Sequence, residues 1–184
     1  MKVNEFLNSP KITGTLSGTM IVDSVVNCPV WEWNSGTLVY ESAVSGIDLK
    51  VDGRFPEVLL GPDFTVSAGK VLDICCGQKQ GAVGWDHEAN PVLTVASGGT
   101  LRLRAYNGGM SRIEVFRSGF WDEEAPTSVG NIMLEAGAIL EVDTTGMAVG
   151  THDFQWPGVT IADNGAIKPT NASIVGGQLR VVVS

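Results

Sequence analysis

Apolar and polar residues alternate along most of the chain, and an alternation with a period of two indicates β-strands. Gly, Asn, Asp and Ser interrupt this alternation every few residues, as turns between short strands require. Helical spacing is confined to a short stretch at residues 3–8, which Pro10 ends. The pattern therefore predicts an all-β protein.

Four eleven-residue segments, which we call the repeat windows, align without gaps. They are FTVSAGKVLDI (residues 64–74), LTVASGGTLRL (93–103), IMLEAGAILEV (132–142) and VTIADNGAIKP (159–169). Positions one and three are apolar in all four windows, and positions nine and eleven are both apolar in the first three. The sixth position holds Gly69, Gly98, Gly137 or Asn164, residue types that tolerate a positive φ. Each window is predicted to form a strand, a corner and a second strand, and to stack on its neighbours in order to bury its apolar face.

Two architectures accept this unit. In a parallel β-solenoid (β-helix), successive windows stack as coils, and insertions of unequal length become loops on one side. In a β-sandwich or jelly roll, each window is a hairpin with its glycine in a bulged turn. The uneven spacing of the windows favours the solenoid, with residues 1–27 as an N-terminal cap or attachment segment and residues 28–184 as one β-repeat domain. Two looser relatives of the window, NSGTLVY from Asn34 and VGGQLRVVV from Val175, flank the four.

The tenth position of the windows alternates in charge along the chain. It holds Asp73, Arg102, Glu141 and Lys168 in turn. Stacking the windows in parallel would place these side chains side by side, where opposite charges attract. We expect cross-strand ion pairs here, each contributing at most about 1 kcal/mol because such pairs are exposed.

Composition narrows the range of partners. The chain of 184 residues fits one domain, and its charged fraction of 17% is low, which suggests extensive burial or a surface partly covered by partners. A net charge of -8 disfavours nucleic acid and anionic membrane surfaces as partners.

No apolar run is long enough for a membrane span or, near the start of the given sequence, for a signal peptide. Cys28, Cys75 and Cys76 are predicted to be buried free thiols, which suit folding in a reducing cytoplasm.

The phrases VASGGTLRL and LEAGAILEVDTTGMAVGTHDF resemble the degenerate repeats of autotransporter-type bacterial surface proteins and β-solenoid adhesins. Similar repeats occur in phage tail and spike proteins, which fold in the cytoplasm without a leader and so suit the free thiols. The resemblance covers residues 64–184. It implies a right-handed β-helix with a scaffold or adhesive role, and it brings no catalytic residues, cofactor or metal.

Two acidic segments are the candidates for catalysis. AVGWDHEAN holds Asp86, His87 and Glu88, and GFWDEEAPTS holds Asp122, Glu123 and Glu124. Glycoside hydrolases use two carboxylates placed across the scissile bond, and Asp86, Glu88, Asp122 and Glu124 are the carboxylates that an enzyme on this scaffold would use. Neighbouring carboxylates in a loop do not fix the separation that this chemistry needs, so solvated loops are the favoured interpretation.

The tryptophans and the remaining histidine suggest weaker candidates. Exposed tryptophans stack on sugar rings, and Trp31, Trp33, Trp85 and Trp121 are the candidate ligand-binding residues. Trp31 and Trp33 share a strand face by their spacing. His152 and Asp153 have no serine in a nucleophile elbow to complete a triad, and they are predicted to lie in a turn between strands.

The sequence ends in the apolar strand LRVVVS, whose edge must be covered by the chain's own fold or by another copy. We therefore expect a homo-oligomer, a trimer if the protein is a spike. The favoured function is a non-catalytic structural or attachment protein of a virion or bacterial surface, in contact with other proteins there and with glycans. The alternatives are a polysaccharide-cleaving enzyme on a β-helix and a carbohydrate-binding β-sandwich module.

Overall fold

A computed structural model gives the structure of the chain. It describes the backbone at residues 12–14, 19–22, 30–33, 37–40, 44–45, 48–51, 57–60, 63–76, 83–85, 92–105, 130–154 and 159–184. Side chains are described at residues 48–49, 63–74, 92–104, 131–153 and 160–184. All regular elements in this part of the chain are β-strands, which confirms the all-β prediction. The short helical stretch predicted at residues 3–8 lies outside the described residues.

The described residues form nineteen strands in four sheets. The strands are β1 (Ile12–Gly14), β2 (Thr19–Val22), β3 (Val30–Trp33), β4 (Thr37–Tyr40), β5 (Val44–Ser45), β6 (Asp48–Val51), β7 (Glu57–Leu60), β8 (Phe64–Val66), β9 (Val71–Cys76), β10 (Val83–Trp85), β11 (Val92–Val95), β12 (Thr100–Ala105), β13 (Gly130–Leu134), β14 (Ile139–Asp143), β15 (Gly150–Phe154), β16 (Val159–Ala162), β17 (Ile167–Lys168), β18 (Ala172–Val175) and β19 (Gln178–Val183).

Three of the sheets are parallel throughout. Sheet I has the order β1-β3-β6-β9-β12-β14-β17, sheet II the order β10-β7-β4-β2, and sheet III the order β16-β13-β11-β8-β5. The first strand of each repeat window lies in sheet III and the second in sheet I. The windows are therefore not hairpins, since a hairpin pairs its two strands within one sheet.

The first three windows stack in the register that the sequence predicts. Phe64 pairs with Leu93, and Leu93 with Ile132; Val66 pairs with Val95, and Val95 with Leu134. In sheet I the same holds for the ninth and eleventh positions: Leu72, Leu101 and Leu140 form one row, and Ile74, Leu103 and Val142 the next. The side chains in these four rows are at most 4% exposed. Because residues in register point to the same face of a sheet, they form continuous apolar rows in the core.

The fourth window departs from the gapless alignment. Ile161 pairs with Ile132 rather than with Leu134, although Ile167 still pairs with Leu140. The corner of this window is therefore two residues shorter. Its positive φ falls on Gly165 (84°) and not, as predicted, on Asn164.

Side-chain hydrogen bonds explain the shorter corner. The Asp163 carboxylate accepts hydrogen bonds from the backbone N–H groups of Gly165 (2.7 Å) and Ala166 (3.0 Å), which closes a tight Asx turn. The Asn164 Nδ2 group donates to the carbonyl of Leu134 at 2.7 Å, joining the corner to the window before it.

The other three corners are stacked glycine turns, as predicted. Gly69, Gly98 and Gly137 have φ values of 73°, 80° and 84°. The Gly69 N–H donates to the Gly98 carbonyl at 2.8 Å, and the Gly98 N–H donates to the Gly137 carbonyl at 2.9 Å. The hydrogen bonds between neighbouring windows therefore continue through the corner, which fixes one window against the next.

The fourth sheet, here called the cap sheet, is antiparallel and has the order β15-β19-β18. Its β18–β19 hairpin turns through Gly176 (φ 59°) and Gly177 (φ 77°), the two positive values that a type I′ turn needs. The Gly177 carbonyl accepts a hydrogen bond from Ile161 of the edge strand β16 at 2.7 Å, and Leu179 and Val181 are fully buried. The cap sheet therefore covers the C-terminal end of the parallel stack.

Two expectations about the flanking segments need correction, and the structure decides between two alternatives for the terminal strand. The segment from Val175 forms the turn and second strand of an antiparallel hairpin and is not a further window. The segment from Asn34 provides β4 in sheet II, whereas the second strands of the windows lie in sheet I. The terminal strand β19 is paired on both edges, so the chain's own fold covers it and its edge no longer argues for a homo-oligomer.

Candidate functional site

A row of alternating charges crosses sheet I and is the most prominent polar feature of the described residues. Six residues that we call the charge row pair in register, one from each of six adjacent strands: Glu32, Lys50, Asp73, Arg102, Glu141 and Lys168. The sign changes at each step. The sequence predicted the last four positions of this row, and the register confirms them.

Arg102 connects the row on both sides. Its Nη1 lies 3.5 Å from Asp73 Oδ2, and its Nη2 lies 3.0 Å from Glu141 Oε2. The expected cross-strand ion pairs are thus confirmed for Arg102. The hydrogen bond to Glu141 is the main reason that the pKa of Arg102 is raised, and the carboxylate charges of Glu141 and Asp73 add to it against a cost of burial.

Arg104 adds a second contact to the same carboxylate. Its Nε donates to Asp73 Oδ1 at 2.5 Å, so Asp73 interacts with two guanidinium groups. The Asp73 side chain is only 13% exposed, more buried than Arg102 (35%) or Glu141 (42%). Burial of this carboxylate is favourable only because the two arginines neutralise its charge.

Asp143 is the last residue of β14, and it pairs in register with Arg104 of β12. Its Oδ1 accepts a hydrogen bond from the Thr145 N–H at 2.9 Å, closing a turn after β14. Hydrogen bonds from Thr145 lower the pKa of Asp143 below its ordinary value, and the positive charges of Arg104 and Arg102 lower it further.

This lowered pKa predicts a contribution to stability that depends on pH. Because the pKa of Asp143 is lower in the folded state, its stabilisation is present above the unfolded value of about 3.9 and is lost as pH falls through the folded value. Asp143→Asn should therefore be less stable than the wild type at pH 7, and the gap should narrow by pH 3. The gap at pH 7 should be at most about 1 kcal/mol, because the Asn side chain can still accept the Thr145 hydrogen bond and solvent screens the lost charge. Urea denaturation at both pH values measures the gap, and a gap that stays constant would contradict the prediction.

The charged groups of the cap sheet pair with each other. The Arg180 guanidinium binds the Asp153 carboxylate through two hydrogen bonds, of 2.5 and 2.8 Å, which lower the pKa of Asp153. His152 Nε2 lies 2.7 Å from the Ala148 carbonyl. His152 and Asp153 belong to β15, so the prediction that they lie in a turn is wrong.

The predicted catalytic and sugar-binding residues are not tested by this structure. Asp86, Glu88, Trp121, Asp122 and Glu124 lie outside the described residues. The backbones of Trp31 and Trp33 are in β3, in register with Leu49 and Val51, and that of Trp85 is in β10. The side chains of these three tryptophans lie outside the described residues, so their role stays a prediction.

The described residues contain no cluster of three or more His, Cys, Asp or Glu side chains suited to a metal ion. Within the same part of the chain, no helix has the length and apolar character to cross a membrane.

Within the described part of the charge row, the carboxylates of Asp73 and Glu141 are both bound by arginines across the strands. Sequence reasoning missed the first two members, Glu32 and Lys50, because their strands lie before the repeat windows. The alternation of charge at strand spacing is the feature of the sequence that could have identified them.

No family model, curated protein or solved structure matches the chain.

Proposed function

We propose that the chain is a β-solenoid that serves as a non-catalytic structural or attachment component of a virion or a bacterial surface. One observation carries this proposal: three repeat windows pair position by position in two different parallel sheets, with their aliphatic residues buried between them. A chain that returns to the same two sheets in the same order builds a coil, and repeated coils build a rod.

The distribution of polar groups supports a scaffold. Successive strands are joined by backbone hydrogen bonds along the stack, and the charged side chains of sheet I engage one another across strands. The cap sheet covers the C-terminal end, where open strand edges would otherwise favour aggregation. These features give a stiff support on which loops between the coils can carry contacts to a surface or a receptor.

Self-association is part of this proposal, as a trimer if the protein is a spike. Its support is the outward row of sheet III, formed by Thr65, Thr94, Met133 and Ala162, which carries no charge. Met133 in the middle of this row is 41% exposed. An uncharged sheet face with an exposed methionine suits contact with the same face of another copy.

Location and activity together test the function. Antibodies raised against the purified protein should label the outside of intact source cells or of the particles that they release. The purified protein should release no reducing ends from a panel of polysaccharides. Label restricted to the interior of permeabilised cells would contradict the proposal. So would release of reducing ends that disappears in Asp86→Asn or Asp122→Asn, since that result would favour the enzyme.

A further inference from the structure

The repeat windows are so alike that their aliphatic side chains do not determine which window packs beside which. Leu72, Leu101 and Leu140 occupy the same position and are all buried. Strand β9 would therefore bury nearly the same apolar surface against β14 as against its actual neighbour β12. A sequence with look-alike repeats needs a further signal to exclude such wrong pairings.

We propose that the charge row provides this signal and selects the neighbour of each strand in sheet I. Its sign alternates from strand to strand, so adjacent strands always attract. A strand paired with its second neighbour would meet a like charge: Asp73 would face Glu141, and Arg102 would face Lys168. Like charges directly opposite each other in a sheet are destabilising, so the row disfavours each pairing that skips one strand.

The contacts around Asp73 make this selection effective. Its side chain is only 13% exposed and touches both Arg102 and Arg104 of β12. In place of β12, strand β14 would bring Glu141 and Asp143 towards the same buried carboxylate. A carboxylate placed beside another in a partly buried site costs far more than one on an open surface.

The row selects the neighbour and not the register. A slip of two residues between β9 and β12 would bring Arg104 opposite Asp73, and this pair already attracts in the native register. Register is instead fixed by the corners, where Gly69, Gly98 and Gly137 are joined by backbone hydrogen bonds.

Engineered disulfides report which strands are neighbours. Thr65 and Thr94 are partners in register on adjacent strands, so their Cα atoms lie about 5 Å apart, within the range of a disulfide. Thr65 and Met133 are separated by one strand, roughly 10 Å, which a disulfide does not span. The pairs T65C/T94C and T65C/M133C therefore report native and skipped pairing. Peptide mass spectrometry identifies the residues joined, so the native cysteines stay in place.

The test compares Glu141→Lys with Glu141→Gln in both cysteine backgrounds after refolding and oxidation. The lysine of Glu141→Lys would repel Arg102 and attract Asp73, so that β14 competes with β12 for the edge of β9. The glutamine of Glu141→Gln removes the native ion pair with Arg102 but creates no attraction to Asp73. The skipped disulfide of T65C/M133C within one chain should rise several-fold in Glu141→Lys over Glu141→Gln. Disulfides between chains are excluded from this yield on a non-reducing gel, because contact between the sheet III faces of two copies would form them in the native fold. Salt at 1 M should reduce the rise, because it screens both charges.

Two results would overturn the proposal. One is the same low yield of the skipped disulfide in both variants. The other is a loss of the native T65C/T94C disulfide in Glu141→Lys without a gain of the skipped one, because the row would then stabilise the sheet without selecting neighbours.

Discussion

Replacing Leu103 by alanine is expected to lower the free energy of unfolding by about 2–5 kcal/mol. The Leu103 side chain is fully buried, and its partners in register, Ile74 and Val142, lie on either side of it in the same row. Neighbouring strands hold these residues in place through parallel backbone hydrogen bonds. The surrounding residues can therefore relax only a little into the cavity left by the deleted atoms. The loss in free energy of unfolding should lie towards the upper end of this range.

Val182→Ala is the matched control for Leu103→Ala. Val182 also lies in a strand, but its side chain is 46% exposed, so truncation should change stability by about 0.5 kcal/mol or less. Urea denaturation followed by circular dichroism measures both variants. Equal losses in the two would mean that Leu103 does not lie in a packed interior.

Replacing Gly99 by alanine is expected to cost about 3 kcal/mol or more. An added Cβ would lie 2.7 Å from the Val66 carbonyl oxygen, 3.0 Å from that of Ser67 and 3.1 Å from that of Ala96. All three atoms belong to the backbone, and the Val66 oxygen already accepts a hydrogen bond from the Ala96 N–H. The first corner must therefore move away from the second, which disrupts the hydrogen bonds between them.

Gly69→Ala separates this clash from the ordinary cost of removing a glycine. Gly69 has a φ of +73°, but a Cβ there meets nothing within 4 Å, so only the backbone strain of about 1–2 kcal/mol is expected. Thermal unfolding should show a clearly larger loss for Gly99→Ala than for Gly69→Ala. The opposite order would show that the corners are not packed against each other as described.

The repeat pattern predicts the stacked strands because apolar spacing and glycine corners are local properties of the sequence. It does not predict the clash at Gly99, since the same window position holds Lys70 in the first window and Ala138 in the third. The two-residue shortening of the fourth corner is also hidden from a gapless alignment. It depends on the hydrogen bonds of Asp163 and Asn164, which only the folded backbone brings into reach.

The cap sheet shows where one local signal was mistaken for another. The Gly176–Gly177 pair is a hairpin signal, yet its Gly-x-Leu continuation imitates a repeat window.

The ion pairs of Arg102 could be predicted from the alternation of charge in the windows. The acidic segments around Asp86 and Asp122 have no repeat to place them, so they stay predictions.

Nuclear Overhauser contacts between methyl groups test most directly whether the windows stack into one interior. In protein labelled at the methyl groups of Ile, Leu and Val, cross-peaks are expected between Val66 and Val95 and between Val95 and Leu134. Ile161 should give its cross-peak to Ile132, its partner in the shifted register. Cross-peaks that join these residues to unrelated parts of the chain, with none between Val66, Val95 and Leu134, would contradict the stacked arrangement.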